Sequence, residues 1–192
     1  IGDTARQSGE TASNVTAVGA GAFHKLSYNG DGFNTAVGQG ACYNSLGTYN
    51  MAVVGKHAAY TNTTGSGCSV LGSFALFSQT TGYSNVAVGT NCARAITTGS
   101  NNVAIGVSAL DDGTTCGSNV AIGSNAMQKT TTAGGNTAVG QAALEANTDG
   151  TFGTAIGYQA LAAATTGGYH AAVGANAGLR NTTGAQNSYF GS

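Results

Sequence analysis

The sequence contains no proline and no tryptophan, and it carries very little charge. Its 192 residues include 7 acidic and 6 basic side chains, 7% in all, where an ordinary soluble domain carries about 25%. Each shortage excludes something. A formal net charge of -1 leaves no basic surface for nucleic acid. No apolar run approaches the roughly 18 residues of a membrane-spanning helix. Collagen is excluded despite 32 glycines, because a triple helix needs proline and a glycine at every third position. Disorder is excluded by a hydrophobic content of 41% at almost no net charge. What is left is an ordered, nearly neutral, glycine-rich chain. No proline hinge, charge run or Gly/Ser-only stretch divides it, so one domain is expected over 1–192. Ile1 opens directly into polar sequence with no initiator Met or leader pattern, which points to a segment of a longer or processed protein.

The glycines are periodic. Gly38, Gly55, Gly72, Gly89, Gly106, Gly123, Gly140, Gly157, Gly174 and Gly191 lie 17 residues apart. Gly19 lies 19 before Gly38, a two-residue insertion, and Gly2 lies 17 before Gly19. Before each glycine stands Val, Ile, Leu or Phe, and before that usually Ala, as in Val103-Ala104-Ile105. Three residues after it comes Ala again, with Cys92 the one departure between Gly19 and Gly174; a large apolar residue such as Leu76, Leu110 or Leu161 often follows. Then comes a Thr-Thr-Gly corner, as at Thr63–Gly65 and Thr97–Gly99, and Asn often precedes the next triplet, as at Asn102 and Asn119.

A strict period with no helical apolar pattern predicts an all-β parallel solenoid of about eleven coils. A helical array is excluded, since the recurrent glycines would cost about 1 kcal/mol each inside helices. A hexapeptide β-helix fits poorly, having an aliphatic step on three sides of each coil. Two short strands per coil are expected, one like Asn102–Gly106 and one centred on Ala109-Leu110. At about 4.8 Å per coil the rod would be on the order of 50 Å long. The first strand is apolar on both faces. We expect Val and Ile to fill the interior, leaving a ladder of Ala along the outside. An apolar strip of that length is unusual on a soluble monomer, so a homo-oligomer joined through the Ala face along the whole rod is expected.

Segments such as Asn102–Gly106 and Asn119–Gly123 resemble the head repeats of trimeric autotransporter adhesins, and Asn136–Leu144 with the corners at Asn62–Gly65 and Asn181–Gly184 is similar to repeats of phage tail fibres. The resemblance covers nearly the whole chain. It implies a left-handed β-roll assembled as three parallel chains, in a virion fibre or at a bacterial cell surface. Adhesin-head repeats are usually shorter, which favours the fibre.

Residues that could carry chemistry are few. Of the carboxylates Asp3, Glu10, Asp31, Asp111, Asp112, Glu145 and Asp149, Asp111 and Glu145 share a phase two coils apart, roughly 10 Å. A glycan-cleaving solenoid needs converging carboxylates; these read as solvated turn residues. Arg94 shares the phase of Asp111 one coil earlier, which predicts a surface ion pair. The same phase holds Tyr43, Tyr60 and Phe77. This column of Tyr43, Tyr60, Phe77, Arg94 and Asp111 is the candidate ligand-contact ladder, although packing alone would also explain its rings. His24, His57 and His170 occupy three phases with no ligand spacing. The cysteines Cys42, Cys68, Cys92 and Cys116 share no phase and form no Cys-x-x-Cys, so free buried thiols are expected. The sequons at Asn14, Asn62 and Asn181 read as turn chemistry, and Gly19-Ala20-Gly21 lacks the strand–helix setting of a nucleotide site. No catalytic, cofactor or metal site is expected. The chain reads as a structural fibre segment that displays an attachment tip, with itself as partner. The alternative is an adhesin binding a host glycan or matrix directly, with ice binding or polysaccharide cleavage ranked below.

Overall fold

The computed structural model describes residues 13–25 and 31–192, so the Ile1-Gly2 step, Asp3 and Glu10 lie outside the described residues. The strands are β1 (Ser13–Val18), β2 (Asp31–Val37), β3 (Ala52–Val54), β4 (Ser69–Leu71), β5 (Val86–Val88), β6 (Val103–Ile105), β7 (Val120–Ile122), β8 (Thr137–Val139), β9 (Thr154–Ile156), β10 (Ala171–Val173) and β11 (Ser188–Phe190). They form a single parallel sheet in chain order. From β2 onward each residue pairs with the one 17 further on, as in Val103↔Val120 and Ile105↔Ile122. Identical side chains therefore stack in columns, and the repeat itself fixes the register. Among the described residues there is no helix.

The expected second strand is absent. The segment after each strand glycine is a series of turns, because two of its residues sit in the left-handed region: Ser108 at φ 52° and Leu110 at φ 55°, and likewise Asn125 and Met127 in the next coil. An extended strand has no place for such angles. Inter-coil hydrogen bonding continues regardless, with Leu110 N–H donating to the Ala126 carbonyl at 2.9 Å and Asp112 N–H to Gln128 at 2.9 Å.

The two faces of the strand are also the reverse of the expectation. Ala104, Ala121 and Ala138 are fully buried, while Val54, Leu71 and Ile105 are 40%, 53% and 37% exposed. The interior is filled from the opposite side. Leu76, Leu110, Met127, Leu144 and Leu161, four residues after their strand glycines, are buried, and opposite the last four the strand carries buried Ala104, Ala121, Ala138 and Ala155, with Val70 facing Leu76. Where that position shrinks to Ala59, the strand of the same coil carries Val53 with Met51 before it, both buried. The volumes complement each other, as close packing demands.

Asn34, Asn85, Asn102, Asn119 and Asn136, just ahead of the triplets, are buried and bind the coils through their amides. Asn119 Oδ1 accepts the Asn136 N–H at 3.0 Å, while Asn119 Nδ2 donates to the Ala133 carbonyl at 2.9 Å and to Asn102 Oδ1 at 3.2 Å. Two of the residues that replace Asn here keep an acceptor, Cys68 Sγ taking Asn85 N–H at 3.5 Å and His170 Nδ1 taking Asn187 N–H at 3.4 Å, whereas Met51 and Gly153 at the same position have no side-chain acceptor of this kind.

Candidate functional site

The aromatic column forms as the spacing predicts. Tyr43 and Tyr60 stack at 4.9 Å with planes 12° apart, and Tyr60 and Phe77 at 5.4 Å with planes 8° apart. The column starts one coil earlier than expected, with His24 stacked on Tyr43 at 4.4 Å. The signal was in the sequence, since His24 follows Gly19 by five residues as Tyr43 follows Gly38. His57 and Phe74 come from a neighbouring phase. His57 meets Tyr60 edge-on at 5.1 Å and Phe74 at 5.3 Å. In a stacked column the ring faces cover one another, so the edges are what solvent and ligands meet.

Further along, Arg94 Nε donates to Asp111 Oδ1 at 2.8 Å. The bond to Asp111 holds the Arg94 guanidinium more firmly protonated than usual. The Arg94 side chain is nearly half exposed, which limits what the pair contributes. Asp111→Asn is expected to lower stability by less than about 1 kcal/mol, read from a denaturation midpoint. Gln128 stands between Asp111 and Glu145 in the column, and Asp112 is exposed. The described carboxylates after Asp31 are thus spread along the rod, and the buried Asp111 is committed to Arg94.

The threonine corners are a second continuous feature. Thr63 Oγ1 donates to the Thr80 carbonyl, Thr80 to Thr97, Thr97 to Thr114, and so on to Thr165 and Thr182, at 2.9–3.2 Å. The following residue, Thr64, Thr81, Thr98 or Thr115, is the exposed one. Asn62 clamps its own corner: its Oδ1 accepts Gly65 N–H at 3.0 Å and its Nδ2 donates to the Gly65 carbonyl at 2.8 Å. With its amide buried and both its oxygen and its nitrogen bonded within the corner, Asn62 is a turn-forming residue, as its sequence context implies.

All four cysteines are free and buried. Burial pushes the thiols of Cys42 and Cys92 up to about 12 and that of Cys116 to about 11. Cys92 takes an Ala position of the repeat and donates to the Ala104 carbonyl at 3.1 Å. Because the thiolate is the reacting species, the folded protein is expected to resist iodoacetamide at pH 8, whereas all four thiols react once it is unfolded. These raised values also make the folded state hold its protons longer than the unfolded chain. The stability is therefore full below about pH 9 and falls as the pH rises toward about 12, which alkaline thermal melts would show.

His24, His57 and His170 stay apart, and among the described residues no three His, Cys, Asp or Glu side chains converge as metal ligands. Among the described residues no helix is long and apolar enough to cross a membrane. No protein-family model matches the chain, and no curated protein or solved structure matches it either.

Proposed function

We propose that this chain is a structural segment of a fibre: a left-handed β-roll that assembles with two parallel copies of itself into a rod displaying an attachment tip. The carrying observation is the outward face of the sheet. Two columns point to solvent from every strand: Thr35, Ala52, Ser69, Val86 and their successors, and Val37, Val54, Leu71, Val88, Ile105 and theirs. Neither column contains a charged residue, and the second is aliphatic from Val18 to Val173. A charge-free aliphatic face running through all the coils suits burial against a like face. In-register parallel stacking gives each copy the same columns at the same heights, so a parallel arrangement matches them along the full length. Nothing in the spread of the carboxylates favours a catalytic reading over this one.

The test is sedimentation in native buffer. A trimer of the 18.7 kDa chain is expected, and a folded monomer would overturn the proposal. Ile105→Arg and Leu71→Arg are expected to give folded monomers, because an unpaired charge in the joint is expensive. If both variants assemble like the parent, the strand face is not the joint. Ala104→Arg, by contrast, would place its charge inside the coil and disrupt the fold itself.

A further inference from the structure

Gly21 and Gly40 occupy a position where later coils carry His57, Phe74, Asn91 and Ser108. All six backbones are left-handed, at φ 68° and 65° for the glycines and 52–56° for the others. The conformation therefore does not demand glycine; at the first two coils the missing side chain lets the rings of Tyr43, His57 and Tyr60 close in against the backbone. A side chain on Gly40 would meet His57 Cδ2 at 2.6 Å and Tyr60 Cε2 at 3.2 Å, and one on Gly21 would meet the Tyr43 ring at 3.1 Å. Beside these glycines lies an open notch of about 220 Å³, bounded by Tyr43, Tyr60, His57 and Gln39.

The chemistry of the notch is narrow. Its volume falls below the roughly 300 Å³ at which drug-sized pockets begin, so it suits one small ring. Among the described residues no charged side chain lines it; of the nearby cations, Lys56 places its ammonium 6.0 Å above the Phe74 ring, one coil beyond His57, and Lys25 donates its backbone N–H to the Tyr43 carbonyl at 3.0 Å. The phenols of Tyr43 and Tyr60, the His57 imidazole and the Gln39 amide make no hydrogen bond to other described residues, so their bonding capacity is open to a ligand. Ring edges with uncommitted polar tips favour a small neutral molecule rich in hydroxyls.

We propose that this notch binds a single neutral pyranose residue. None of its lining residues belongs to a strand, so the site stands apart from the columns assigned above to assembly, and either reading can fail without the other.

The experiment is saturation-transfer NMR on the parent chain with the methyl pyranosides of glucose, galactose, mannose and N-acetylglucosamine at millimolar concentration. Transfer to at least one is expected. Gly40→Asn, a residue this position accepts at Asn91 and Asn125, displaces the His57 and Tyr60 rings that bound the notch and is expected to weaken binding at least tenfold, while the remote same-position change Gln159→Asn leaves it unchanged. The double variant Gln39→Ala/Tyr60→Phe removes polar groups but keeps residues the repeat already uses at Ala20 and Phe77. It is expected to weaken binding several-fold, and it decides the matter if Gly40→Asn fails to fold. No transfer from any of the four sugars, or transfer undiminished in the double variant, overturns the proposal.

Discussion

Replacing Gly123 with Ala is expected to disrupt the coils around it, lowering stability by more than about 3 kcal/mol. Two costs combine. Gly123 sits at φ +132°, which an L side chain rarely adopts, and such backbone strain alone costs about 1–3 kcal/mol. An added Cβ would also meet the carbonyl of Gly140 at 2.5 Å (O) and 2.6 Å (C), and Gln141 N at 2.9 Å. These are backbone atoms of the next coil, held by the hydrogen bond from Gly140 N–H to the Ile122 carbonyl at 2.8 Å, so they have little freedom to retreat. Gly135→Ala is the control. Its backbone, at φ +74°, lies in the region that Ser118 and Phe152 occupy at the same position, and the nearest atoms to its Cβ would belong to the exposed Phe152 ring, a side chain that can move where the backbone of a neighbouring coil cannot. That change is expected to cost about 1–2 kcal/mol. Thermal melts of the two variants compare them directly. Comparable losses would mean that the close approach between strand glycines does not control coil stacking.

Asn119→Ala should have the next largest effect, about 3–5 kcal/mol. The substitution leaves the Asn136 N–H and the Ala133 carbonyl without their partners at 3.0 and 2.9 Å, in a buried position where each unsatisfied group costs about 1–3 kcal/mol. Asn119→Asp would be worse, since a carboxylate oxygen would face the Ala133 carbonyl and Asn102 Oδ1 and carry a charge into the interior. Asn119→Cys should be tolerated better than either, because Cys68 already serves as acceptor at this position. Hydrogen exchange adds a spatial readout. Each coil touches only its neighbours, so the Asn136 amide should lose protection first and the amides of β3 and β4 last. Uniform loss along the rod would show that the solenoid unfolds as one cooperative unit.

Much of this molecule is legible in the recurrence of its residues. Spacing of 17 brings like residues together in neighbouring coils, and that alone sets the parallel pairing, the register and the columns of rings, threonines and glycines. The pairing of Arg94 with Asp111 and the separation of the four cysteines follow from the same arithmetic. Only the tertiary structure decided which way the strand faces. Val103-Ala104-Ile105 is apolar on both sides, so its pattern is symmetric, and the choice falls to the volume of Leu110 and its column across the coil. The second strand failed for a related reason. Ala109-Leu110 has the composition of a strand, but a coil of this length must turn back on itself, and it does so through left-handed residues that composition does not mark. The Asn column was visible as a preference before each triplet, while its role as a chain of buried amides depends on an interior that local sequence does not specify. The notch beside Tyr43 and Tyr60 arises where two coils lack a side chain that the others carry, and what a missing side chain leaves open is set by the rings packed around it.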